Sequence, residues 1–391
     1  MGMMKINNIQ DIKRSEGVIV FVTGCSGQDG SLMVDYLLKN TNYNIVGGAR
    51  RLSVENHNNI KHLENEPRFH LINFDLTDSH SIYKVVEYVK PDYFINFAAQ
   101  SFVASSWDFA RQTWECNSTA VLDCLEAIKR LKPDCRFYNA GSSEEFGNVE
   151  YEPQDENHPS RPRSPYGASK AAARQLVKVY RESYGLYAVQ GWLFNHEGPR
   201  RGEEFVTRKI TKGVAKIFDG IVNWKKGKLK PIELGNLNAI RDWSDAEDVV
   251  DAVWRMLNQD KHRNLEYSAS LGGFQHMCRT SLKDYVVGSG EKHTIREFVE
   301  KAFELVGING MWSGDGVDEH LWYEGGPRPL PSNDCVLVKI NPKYYRPAEV
   351  DVLCANPTKV EKELGWKPKT TFEGLVDKMI SNDLTLIDTR V

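Results

Sequence analysis

Apolar positions in this chain follow two rhythms. Short β-branched runs of five or six residues alternate with longer stretches in which apolar residues return every three or four positions. Val18-Ile19-Val20-Phe21-Val22-Thr23 predicts a buried strand, and Ser31 to Lys39 behind it predicts an amphipathic helix. Further strands are predicted at Asn44 to Ala49, Phe69 to Phe74, Asp92 to Phe97, Arg136 to Ala140 and Tyr187 to Phe194. Helices are predicted at Ser79 to Val89, Trp107 to Leu131 and the Ala-rich segment that begins near Tyr166. Strands alternating with helices make a parallel sheet covered on both faces, with ligands at the carboxyl ends of its strands. The expected fold is therefore α/β: a Rossmann-type doubly wound parallel sheet over residues 17–200, and a smaller mixed α/β C-terminal domain over 201–391 that binds substrate and closes over the first. Asp248 to Val253 predicts a helix, and the chain is expected to return to the first domain around 245–257. Ser313 to Pro331, rich in Gly and Pro, predicts a loop over or near the pocket, and Lys225 to Lys228 a solvated basic turn.

The candidate chemistry sits at the strand ends. Gly24, Gly27 and Gly30, with Gln28 and Asp29 among them, form a turn directly after the first strand. Such a turn lets a backbone approach a pyrophosphate and a helix pack closely on its strand. The second strand ends in Arg50, where an acidic residue would accept the ribose 2′-hydroxyl of NAD and a guanidinium matches a 2′-phosphate; Arg50 therefore predicts NADP. Asp75-Leu76 stands where an adenine edge is met, and the small residues from Ala98 to Ser101 allow close approach of a cofactor. Tyr166 and Lys170 lie one helical turn apart, a pair in which the ammonium favours the phenolate and lowers the tyrosine pKa. Ser142-Ser143-Glu144 is delivered to the same sheet edge by the fifth strand.

Composition narrows the partners. A net charge of −3 over 391 residues leaves no electrostatic footprint for nucleic acid or an anionic membrane. The first sixteen residues lack the apolar core of a signal peptide, and no run approaches the length that spans a bilayer. The seven cysteines have neither paired nor metal-ligand spacing, as expected of reduced thiols in a cytoplasmic protein without a metal site.

In chain order, TGCSGQDG, AAQSFV, GSSEEFG, SPYGASK, FNHEGPRRGEEFVTRKI, LGNLNAIRDW and RPAEVDVL resemble the GDP-mannose 4,6-dehydratase family of the extended short-chain dehydrogenase superfamily, from about Val18 to about Leu384. The glycine turn and the Tyr-Lys pair are common to the superfamily; the FNHE, GPRRGE, FVTRKI and RPAEVD blocks are specific to the dehydratases. The resemblance implies Ser142, Glu144, Tyr166 and Lys170 as catalytic residues. Tyr166 would take the 4-hydroxyl proton, Lys170 would hold it and the cofactor ribose, and Glu144 would remove the carbon-5 proton. It implies that His196 contacts the cofactor, and that Ser101, Asn195, Lys209, Arg241, Arg346 and Glu349 contact the nucleotide-sugar. It also implies a homo-oligomer, dimer or tetramer, in which the loop from Arg50 to Asn59 reaches a neighbour's cofactor.

The chain departs from the family in three places. Ser142 replaces Thr. Glu145 follows Glu144 where the family has an apolar residue; by strand alternation only one of the two faces the sugar, and Glu145 is expected to be a solvated or loop carboxylate. Lys261 to Leu282 is longer than the family's turn and is expected to be a surface insertion. Other readings are the same reaction on another nucleotide-sugar such as a GDP-manno-heptose, a nucleotide-sugar epimerase, or a non-catalytic NADP-binding regulator.

Overall fold

The first strand, β1 (Ile19–Thr23), is buried along its whole length, which is why it is a continuous apolar run and not an alternation. The structure, a computed structural model, describes residues 6–9, 17–51, 57–223, 229–262, 281–328, 335–345, 350 and 352–388. After β1 come α1 (Gln28–Asn40), β2 (Asn44–Ala49), β3 (Phe69–Asn73), α2 (Ser79–Val89) and β4 (Tyr93–Asn96). The helical stretch then runs through α3 (Ala110–Trp114), a π turn at Glu115–Thr119 and α4 (Ala120–Leu131). Next are β5 (Arg136–Ala140), α5 (Pro165–Tyr184), β6 (Ala188–Leu193), β7 (Asn195–Glu197) and α6 (Val206–Val222). Beyond them lie β8 (Ile232–Leu234), β9 (Ile240–Arg241), β10 (Trp243–Asp245), α7 (Ala246–Leu257), β11 (Val286–Val287) and β12 (His293–Thr294). The last strands are β13 (Asn309–Ser313), β14 (His320–Gly325) and β15 (Val336–Ile340), and the helix Phe372–Asp388 follows them.

Seven strands form one parallel sheet in the order β3-β2-β1-β4-β5-β6-β11. The order reverses between β1 and β4, so a crevice opens at the carboxyl ends of these two strands, the usual ligand position in such sheets. One face is covered by a core that includes Met33, Val34 and Leu37 of α1 and Val249, Val253 and Met256 of α7. The other face carries the core of α2, α4 and α5. The chain meets this sheet again at β11, a two-residue pairing too short to stand out as an apolar run.

A second core joins α6, the helix Ile295–Leu305 and the helix Phe372–Asp388 to a four-stranded sheet, β13-β14-β15-β8. This corrects the loop expected at Ser313 to Pro331. Ser313 ends β13, and His320–Gly325 forms β14 between two partners, with Leu321 and Tyr323 turned into the core. Its described residues do not line the central cavity. The basic turn Lys225 to Lys228 and most of the expected insertion fall outside the described residues.

Candidate active site

The glycine turn packs tightly between β1 and α1. Gly24 takes φ +63°, and a Cβ there would lie 3.0 Å from the Ala98 backbone nitrogen; a Cβ on Gly30 would collide with the Gly24 carbonyl oxygen. Ala98 N–H donates to Thr23 Oγ1 at 2.9 Å, tying the end of β4 to the end of β1. Arg50 is exposed just past β2. Asp75 and Leu76 follow β3: the Asp75 carboxylate accepts from the Thr77 amide and hydroxyl, Leu76 is buried, and neither lines the cavity described next.

Helix α5 starts with Ser164 accepting from Gly167 N–H at 3.0 Å and Pro165 in its first turn, and ends at Gly185 in the left-handed conformation. Tyr166 and Lys170 are buried on the face toward β5, and Lys170 Nζ donates to the Ala140 carbonyl at 2.8 Å. The electrostatics run against the expected lowering of the tyrosine pKa. Burial pushes the Tyr166 phenol up to about 12; a hydrogen bond with Ser142 pulls it down, and Glu144 pushes it further up. Burial likewise brings Lys170 down to about 8, against the opposing influence of Cys116, Glu145 and Asp29. A cation entering the cavity would favour the phenolate.

Ser142 to Glu145 is a single 3-10 turn, so strand alternation does not govern it. Ser142 caps it, with Oγ accepting from Glu144 N–H at 3.2 Å. Glu144 lines the cavity and Glu145 does not. The expected solvated Glu145 is corrected: its side chain is 0% exposed and paired with Arg174, Nε to Oε2 at 2.5 Å. Below the turn, buried side chains hydrogen-bond across the sheet, Thr23 to Asn96 at 2.7 Å, Asn96 to Asn139 at 2.9 Å, Asn139 to Gln190 at 2.6 Å and Gln190 to Glu145 at 3.2 Å.

The cavity has a volume of about 690 Å³. It brings together Asp29, Ser101, Ser142, Glu144, Tyr166, Lys170, Asn195, His196, Lys209 and Arg241 from both halves of the chain. Asn195 Oδ1 is buried without a hydrogen-bond partner among the described residues, an acceptor available to a ligand donor. Lys209 Nζ sits 3.4 Å from the centre of the Tyr344 ring, whereas its neighbour Arg208 is turned away into a buried ion pair with Asp383. Arg241 is buried, with Nη1 on the Ile240 carbonyl at 2.8 Å. Arg346 and Glu349 lie outside the described residues.

Arg201 is a cavity residue that motif reading passed over. It pairs with Glu197 at 3.0 Å and stacks on Phe205 at 3.6 Å, while adjacent Arg200 turns outward to Asp35 and Ser31. Two adjacent arginines after Gly-Pro were the available signal, with nothing to say which faces inward. His196 Nε2 meets Asp29 Oδ2 at 3.0 Å, and its Nδ1 meets the Phe194 carbonyl at 2.8 Å. Burial alone would raise Asp29, but His196, Arg201 and Gln28 outweigh it and hold the carboxyl near about 2. Burial would lower His196, and Asp29 outweighs that, raising it above its ordinary value.

The chain matches the sequence profile of "GDP-mannose 4,6 dehydratase" over residues 21–277 and 269–379. It is 41% identical to GDP-mannose 4,6 dehydratase of Drosophila melanogaster over 95% of this chain and 88% of that protein. The human GDP-mannose 4,6 dehydratase is 40% identical over 95% and 92%. Among solved structures, dTDP-glucose 4,6-dehydratase from Bacillus anthracis, in complex with NAD, superposes with a TM-score of 0.68 at 20% identity, over 93% of this chain and 96% of that one, a likeness of fold. With identity of this level sustained along nearly the whole length, the chain belongs to the GDP-mannose 4,6-dehydratase family.

Proposed function

We propose that this protein dehydrates GDP-mannose to GDP-4-keto-6-deoxymannose. The observation that carries the reading is the convergence of Ser142, Glu144, Tyr166 and Lys170 on one cavity, opposite Asn195, Lys209 and Arg241. The glycine turn fits a dinucleotide: its glycines let the backbone of β1, β4 and α1 pack closely, and Gly27 puts no side-chain cap over the first N–H groups of α1. A nicotinamide bound there supplies a hydride acceptor at the start of the cycle and a hydride donor at its end.

Tyr166 accepts the proton of the sugar 4-hydroxyl as that carbon is oxidised, and Ser142 hydrogen-bonds the 4-oxygen. Lys170 keeps positive charge beside Tyr166. The new ketone acidifies the carbon-5 proton, which Glu144 removes; the carbon-6 hydroxyl leaves as water after taking a proton from the same region. Carbon 6 is then reduced and carbon 5 reprotonated, so the net change is loss of one water. Lys209 and Arg241 suit the diphosphate, and Asn195 an amide-type contact.

The purified protein incubated with GDP-mannose should yield a product lighter by one water, with no reduced nicotinamide accumulating. A product of unchanged mass, or turnover confined to a GDP-manno-heptose, overturns the reading. We infer NADP over NAD from Arg50 at the end of β2. Arg50→Asp should weaken NADP binding at least about tenfold more than NAD binding; equal affinity of the unmodified protein for both cofactors counts against it. We assign the enzyme to the cytoplasm, in keeping with six free thiols among the described residues, and to a homo-oligomer, which light scattering would test.

A further inference from the structure

We infer that Glu145 and Arg174 are positioning residues that lock the Ser142–Glu144 turn in register with the Tyr166–Lys170 helix. The inference rests on the dehydratase reading only for its consequence on turnover. Arg174 lies four residues beyond Lys170, on the helix face that carries Tyr166 and Lys170. Its guanidinium reaches Glu145 through Nε at 2.5 Å and Nη2 at 3.3 Å, and lies 3.3 Å from the centre of the Trp192 ring. Among the described residues, the guanidinium also meets the Gln190 and Gly191 carbonyls, both at 3.3 Å, and Asp284 at 3.7 Å.

Glu145 Oε1, held in this way, accepts the Ser142 backbone N–H at 2.9 Å. That bond completes a reciprocal cap, since Ser142 Oγ accepts from Glu144 N–H. The side chains proposed to touch the 4-oxygen and the carbon-5 proton thus stand on a turn whose cap is an acid anchored on the helix of the proposed base. Close approach is built in: a Cβ on Gly167 of α5 would lie 2.6 Å from the Glu144 carbonyl oxygen. A charge pair with both members nearly without exposure is a costly way to fill a core, and apolar residues would fill it at least as stably. What apolar residues lack is a directed acceptor for the Ser142 amide.

The test compares three variants with the unmodified enzyme. Glu145→Leu combined with Arg174→Leu removes the lock without leaving a lone buried charge. Its unfolding midpoint should fall modestly, since the Ser142 amide loses its acceptor; well below that midpoint its KM for GDP-mannose should stay within about twofold while kcat falls at least about tenfold, as misplacement of reacting groups by under an ångström allows. Amide hydrogen exchange across 142–145, measured without substrate, should speed up by a similar factor. Glu145→Gln combined with Arg174→Gln keeps an acceptor for the Ser142 N–H without stranding a buried charge, and should recover most of kcat. Arg174→Lys keeps the charge but loses the two-nitrogen grip, so its kcat should fall at unchanged KM, which decides the matter if the double variant does not fold. Unmodified kcat and exchange in the double variant, or in Arg174→Lys where the double variant fails to fold, overturns the inference. So does a loss of kcat that merely tracks a lowered unfolding midpoint. Should the unmodified protein leave GDP-mannose untouched, the functional reading fails, and the exchange measurement still decides whether the pair positions the turn.

Discussion

At the scale of single residues, two carboxylates adjacent in sequence have opposite fates: Glu144 lines the cavity, and Glu145 is sealed behind it against Arg174. Replacing the proposed base by its uncharged isostere, Glu144→Gln, should abolish exchange of the carbon-5 proton with deuterated solvent and lower kcat roughly 10²- to 10⁴-fold, while oxidation at carbon 4 persists. Exchange surviving in that variant would move the base elsewhere. The Asp29–His196 pair carries a pH signature. Asp29 is depressed from its ordinary 3.8 to about 2, so its contribution to stability is present above 3.8 and lost as pH falls toward 2. His196 is raised above its ordinary 6.5, so its contribution is complete below 6.5 and lost as pH rises through the folded value. Both ions contribute together between these limits, the Asp29 share being on the order of 2 kcal/mol. His196→Gln should therefore show its largest unfolding-midpoint deficit near about pH 5, narrowing above neutrality. A deficit independent of pH would mean that the imidazole serves only as packing.

At the scale of elements, α5 matters most, because one helix carries Tyr166, Lys170 and Arg174. Its start is set by the Ser164 hydroxyl and Pro165, its stop by Gly185. Ser164→Ala removes the acceptor for Gly167 N–H and should cost about 1 kcal/mol. The lost bond is two residues from Tyr166, so kcat should decline as well; calorimetry and steady-state kinetics on the same preparation would check both. Unchanged stability would indicate that Pro165 alone sets the helix start. The 3-10 turn at Ser143–Glu145 and the π turn before α4 are further irregular pieces, and each interrupts a rhythm that sequence periodicity assumes.

At the scale of the molecule, the cavity has two walls with separate cores: the parallel sheet with α5, and α6 with its C-terminal companions. Lys209 is held in the cavity wall by α6, which is pinned to the helix Phe372–Asp388 through the Arg208–Asp383 ion pair and the Thr211 bond to Asp383 at 2.7 Å. Asp383→Asn leaves a buried guanidinium without its counter-charge, at a cost of about 3 kcal/mol. Its unfolding midpoint should fall and KM for the sugar nucleotide rise, with NADP affinity unchanged because the glycine turn belongs to the other core. A parallel loss of NADP affinity would mean that the two walls do not respond separately.

Much of the sheet was legible in the sequence, because central strands are short runs dominated by buried apolar residues, and β1, β2, β3 and β5 fall within one residue of their expected limits. The glycine turn and the Tyr-Lys spacing were legible for the same kind of reason: each is dictated by local backbone geometry. What the tertiary structure decided is where charges go. Glu145 looks like a surface residue until the fold brings Arg174 from 29 residues away, and nothing local distinguishes inward Arg201 from outward Arg200. The expected lowering of Tyr166 overlooked burial, which outweighs the neighbours in the folded protein. β14 was hidden because its glycine-rich flanks read as loop, and only pairing with β13 and β15 makes it a strand. Local sequence determines backbone conformation over a few residues, but the stability of a buried charge depends on partners that long-range packing supplies.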